Sequence, residues 1–73
     1  MRYVLVEGLG LVSMRRHTSK MQYVYTIRQK GNKATVTLPV IEIQKRCFDH
    51  GGVLLSDSII ALLKKKARFE EAQ

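Results

Sequence analysis

The stretch from Gln22 to Leu38 constrains the fold more than any other part of the chain. Tyr23, Tyr25 and Ile27 alternate with Val24, Thr26 and Arg28, and Ala34, Val36 and Leu38 alternate with Thr35 and Thr37. A period of two puts each set on one side of a strand. Lys30-Gly31-Asn32-Lys33 lies between the two runs. Gly-Asn suits a two-residue hairpin loop with a positive φ at the glycine. Closing the hairpin there pairs Ile27 with Val36 and Tyr25 with Leu38 on one side. On the other side it pairs Thr26 with Thr37 and Arg28 with Thr35. Tyr23 and Tyr25 share the apolar side and are expected in the core, although sheet aromatics can also stack on bases.

The chain before this hairpin also reads as strand. Tyr3-Val4-Leu5-Val6 is β-branched and aromatic, Gly8 and Gly10 mark a turn, and Leu11 to Met14 can return as a second strand. Arg15-Arg16-His17-Thr18-Ser19-Lys20 carries no apolar anchor and is expected to be an exposed connection. From Pro39 the period changes. Val40, Ile41, Ile43, Cys47 and Phe48 recur at helical spacing, and Gly51-Gly52 is expected to stop that helix. Ser56-Asp57-Ser58 offers capping oxygens for a second helix with Ile59, Ile60, Leu62 and Leu63 as its apolar side. Lys64-Lys65-Lys66 falls in its last turns, where cations complement the helix dipole, and Glu70 to Gln73 is expected to fray. The expected class is α+β in a single domain, 1–73. An antiparallel β-rich N-terminal half (2–6, 11–14, 22–28, 33–38) precedes two helices (40–50, 57–68) packed on one sheet face.

Charge narrows the function. The formal net charge is +7, and it is unevenly placed. Residues 1–33 carry seven basic side chains and one acid, Glu7; residues 34–73 carry six basic side chains and five acids. Such segregation concentrates positive potential and favours encounter with polyanions. Arg15, Arg16 and Lys20 on the connection, and Arg28, Lys30 and Lys33 around the hairpin tip, are the candidate binding residues. Arginines give bidentate contacts to phosphate and lysines add point charges. Side by side, these groups would track a phosphate backbone without reading bases.

Other functions find less support. The chain has no Ser/His/Asp constellation and no phosphate-cradling glycine loop, so it reads as a non-enzyme without catalytic residues or cofactor. Cys47, Asp49 and His50 are the only trio resembling metal ligands, and zinc requires a second cluster that is absent from the sequence. Cys47 is the only cysteine, which argues against a secreted disulfide scaffold. No apolar run approaches the ~20 residues of a membrane span. A cytoplasmic location is expected.

Two resemblances add partners. Lys30-Gly31-Asn32-Lys33-Ala34-Thr35-Val36-Thr37-Leu38-Pro39 resembles the hairpin of swapped-hairpin transcription factors of the AbrB and MazE type. There a Gly-Asn turn precedes a strand ending in an Ile/Leu-Pro step and a short helix. Those proteins continue into a second strand pair, whereas Val53 to Arg68 here reads as helix. The profile as a whole is similar to the small regulators that bacteriophages encode to bind host RNA polymerase, of the Xanthomonas-phage initiation-inhibitor and antiterminator type. That resemblance implies a location in the bacterial host cytoplasm and contact with the polymerase large subunits near the RNA exit channel. The leading expectation is a transcription regulator that binds RNA polymerase, and emerging RNA, and acts by occupying space. A direct DNA-binding dimer and a structural subunit of a larger assembly remain the alternatives.

Overall fold

A computed structural model describes residues 2–43, 48–50 and 52–71, with backbone alone at 48–50, 70 and 71. Strands β1 (Val4–Val6), β2 (Gly10–His17), β3 (Gln22–Gln29), β4 (Asn32–Pro39) and β7 (Glu70–Glu71) form one sheet in the order β1-β2-β3-β4-β7. All its pairings are antiparallel. A single helical turn, α1 (Val40–Ile43), follows β4. A small hairpin of β5 (Phe48–His50) and β6 (Val53–Leu55) comes next, and then helix α2 (Asp57–Lys66). The class is α+β as expected: an antiparallel sheet from the N-terminal half, followed by two helices packed against it.

The alternation in β3 and β4 selects the packed face. Tyr25, Ile27, Val36 and Leu38 lie on it and are buried, together with Val12 of β2. Val40 and Ile43 of α1, Val53 and Leu55 of β6, and Ile59 and Leu63 of α2 close over them. Tyr25 is fully buried and donates its hydroxyl to the Leu54 carbonyl oxygen at 2.5 Å. One side chain thus ties the sheet centre to the β5–β6 hairpin, and both tyrosines are core residues. Val4, Val6 and Met14 add half-buried contacts at the margin.

The hairpin register departs from expectation by two residues. Gln29 pairs with Asn32, so Tyr25 faces Val36, Ile27 faces Ala34 and Tyr23 faces Leu38. The loop is Lys30-Gly31, with φ of +21° and +85°, and glycine takes its second position instead of its first. A slip of two leaves every side chain on its face, because the strand period is two. Alternation alone therefore could not choose between the registers. The observed one brings Tyr23 under Leu38, and both are buried.

Three further boundaries differ. The Arg15–Lys20 connection is shorter: β2 runs through His17, and only a 3₁₀ turn, Thr18–Lys20, and Met21 link it to β3. Polar side chains do not end a strand that has one face in water. The first helix covers Val40–Ile43 instead of 40–50, with 44–47 outside the described residues and Phe48–His50 in a strand. Its β-branched run disfavours helix, and one turn is too short to propagate. Val53–Leu55 pairs with β5, so a strand pair does follow α1. A Gly-Gly step serves a hairpin as readily as a helix stop. Glu70 and Glu71 pair with Lys33 and Asn32 as β7 where fraying was expected. Ala72 and Gln73 lie outside the described residues.

Helix α2 keeps its expected start and ends at Lys66 instead of Arg68. Ser56 is its N-cap, and its Oγ accepts from the Ile59 N–H at 3.3 Å. Ser56→Ala is expected to lower stability by about 1 kcal/mol, measured as a shift in the denaturant midpoint. An unchanged midpoint would show that the adjacent Ser58 hydroxyl, 3.0 Å from Ser56 Oγ, can take over the cap.

Candidate nucleic-acid interface

Because β5, β6 and both helices lie on the packed face, the other face of β1 to β4 is largely uncovered, although Ser13 on it is buried and Val24 and Thr26 are half-buried. Register arranges its residues in rows across the strands. One row runs Leu5, Leu11, Arg28, Lys33; the next is Ser13, Thr26, Thr35; the third is Arg15, Val24, Thr37. Rows are spaced by two residues, so Arg15 stands about 13 Å along the strands from the Arg28–Lys33 pair. Arg15, Arg28 and Lys33 are all exposed, as are Thr35 and Thr37. No Asp or Glu occurs within β1 to β4, so these strands set no anion against the three cations. At the far edge, Glu70 of β7 takes the register position beside Lys33.

The six expected site residues therefore divide. Arg28 and Lys33 are direct cross-strand partners, and Lys30 heads the turn beyond them. Arg15 shares their face at the other end of the sheet. Arg16 does not share it: consecutive strand residues point to opposite sides, and its guanidinium lies 6.0 Å from the Tyr23 ring centroid. Lys20 is exposed in the 3₁₀ turn at the Arg15 end. The adjacent arginines expected to act together are separated by the strand that β2 forms through them.

One cation at the opposite end, beside the Arg28–Lys33 pair, was not legible in the sequence. A Cβ built on Gly8 would stand 3.4 Å from Lys64 Nζ, which places that ammonium at the β1–β2 turn. The sequence assigns Lys64 only to a helix end; the docking angle of α2 decides where its ammonium arrives. The turns β1–β2 and β3–β4 lie at the same end of the sheet, so Arg28, Lys30, Lys33 and Lys64 crowd there. Between these turns runs an open groove of about 950 Å³, lined by Leu5, Glu7, Leu11, Arg28, Lys30 and Asn32 among others, so that one carboxylate stands among its cations.

Like charges placed directly opposite in a sheet are destabilising, and Arg28 faces Lys33 in register. A bound anion bridging the two would relieve that repulsion. Chemically, the face offers separated cations with the Thr26 and Thr35 hydroxyls between them, suited to successive oxyanions along a chain. Cys47, one of the trio weighed as metal ligands, lies outside the described residues. Among those described, no three His, Cys, Asp or Glu residues group as a metal site, and no helix is long and apolar enough to cross a membrane. No protein-family model, curated protein or solved structure matches the chain.

Proposed function

We propose that this protein is a non-enzymatic regulator that binds nucleic acid along the open face of its sheet. The observation that carries the reading is the coplanar set Arg15, Arg28 and Lys33 on strands without acids, with threonines between them. Phosphate contacts of this kind give affinity and register without base preference. The regulator acts by occupying the strand it covers. Resemblance to the phage-encoded polymerase-binding regulators adds transcription as the setting, with the RNA leaving the polymerase as the strand nearest at hand.

Binding driven by counterion release falls steeply with salt. One phosphate at Arg15 and one shared by Arg28 and Lys33 give a slope of log K on log salt of about −1.4 to −1.8. Arg28→Ala with Lys33→Ala is expected to weaken binding by about 1–3 kcal/mol and to reduce that slope by about 0.8. Arg16→Ala, on the packed side, should change affinity less than about twofold. Fluorescence anisotropy across a salt series measures all three. Salt-independent binding, or equal losses from Arg16 and from Arg28 with Lys33, would sink the reading. A pull-down from bacterial lysate with and without nuclease addresses the polymerase directly: subunits retained after nuclease would make the face a protein-binding one.

A further inference from the structure

Leu5 and Leu11 are 75% and 43% exposed, and they are not scattered surface residues. They are cross-strand partners, and Leu11 is in turn the register partner of Arg28. The row therefore passes from two bare apolar side chains to two cations, over strands about 4.8 Å apart, with Glu70 in register beyond Lys33 at the sheet edge. The groove at this end is bounded by the β1–β2 turn, with the exposed Glu7, on one side and by Arg28, Gln29, Lys30 and Asn32 on the other, so its positive side is the β3–β4 side. Its ligand has to be amphipathic: a flat apolar part beside a negative charge.

A duplex does not fit that description. Its bases are stacked inside, so it would meet the sheet with phosphates alone and leave the leucines in water. An unpaired strand carries exposed base faces next to each phosphate, and flipped or unstacked bases pack against aromatic and apolar side chains. Resting on the nucleic-acid reading above, we infer that the Leu5–Leu11–Arg28–Lys33 row is a nucleotide subsite and that the ligand is single-stranded nucleic acid. One base lies on the two leucines, its phosphate is held by Arg28 and Lys33, and Lys30 and Lys64 lie at the end where the strand continues. Asn32 in the groove lining offers both a donor and an acceptor to the base edge.

Anisotropy with labelled oligothymidylate, oligouridylate and a duplex of equal length tests the inference on the unaltered protein. Single strands should bind about tenfold more tightly than the duplex, the lower end of what covering one exposed leucine side chain contributes. Leu5→Ser with Leu11→Ser should remove about that tenfold, with the salt slope and the duplex affinity unchanged. Equal affinity for single strand and duplex, or an unchanged single-strand affinity in the serine variant, overturns the subsite and leaves the phosphate-binding face standing. Failure of every oligonucleotide to bind removes the face and the subsite together. A dimer on sedimentation that the serine substitutions dissociate would assign the leucines to a second copy and overturn the inference. Should the serine variant not fold, the strand-versus-duplex comparison decides alone.

Discussion

Gly10→Ala is expected to remove most of the protein's stability. Gly10 has φ of +130°, and a Cβ there would stand 2.5 Å from the Arg28 carbonyl oxygen and 2.9 Å from Gln29 Cγ. The first neighbour is backbone of β3, which cannot swing aside without breaking the β2–β3 ladder. The second belongs to the Gln29 side chain, which crosses the glycine to donate to the Leu9 carbonyl. Backbone strain and overpacking each cost about 1–3 kcal/mol, against a total stability of about 3–5 kcal/mol for a single small core. Gly31→Ala is the matched control. Its φ is also positive, at +85°, but nothing lies within 4 Å of the added methyl group, so it should cost only about 1–2 kcal/mol. Circular dichroism melts of both variants test the argument. Equal losses would show that the turn conformation, and not the close approach of β3, requires glycine at position 10.

Tyr25→Ala is expected to be nearly as damaging, by about 3–5 kcal/mol. The side chain is fully buried at the centre of the packed face, where its removal leaves a cavity that α2 and β6 cannot both collapse into. Tyr25→Phe separates the packing from the hydrogen bond to Leu54. It keeps the ring and is expected to cost about 1–2 kcal/mol. Denaturant titration of the pair measures the two contributions. If phenylalanine were as costly as alanine, the hydroxyl and its hold on the β5–β6 hairpin would outweigh the ring. If phenylalanine were neutral, that hairpin would owe its position to Val53 and Leu55 alone.

The way β3 and β4 were legible, and β5 was not, has a physical basis. In β3 and β4 the alternation runs for eight residues in each strand. That leaves no ambiguity about which side chains face the core, and a register slip of two residues does not disturb it. Val40 to His50 has no such redundancy. Its apolar residues fit a helical face for a few turns, yet a strand pair around Gly51-Gly52 satisfies the same glycines. The choice there depends on Val53 and Leu55 finding a place beside Tyr25, a contact remote in sequence.

The candidate interface divides in the same manner. That the early chain is basic and almost free of acid can be read from the residues directly. Which cations act together cannot, because β2 continues three residues further than the polar composition implies and sends Arg15 and Arg16 to different faces. Lys64 arrives at the β1–β2 turn only through the packing of Ile59 and Leu63.

Local composition and periodicity thus determined the class, the packed side chains of the main sheet, the cap of α2 and the sign of the surface charge. Each of these depends on neighbours a few residues apart. Tertiary structure decided the hairpin register, the fate of the Gly-Gly step, the uncovered side of the sheet and the membership of the cationic row. These turn on energy differences between arrangements with the same local pattern, and only contacts between distant segments separate them.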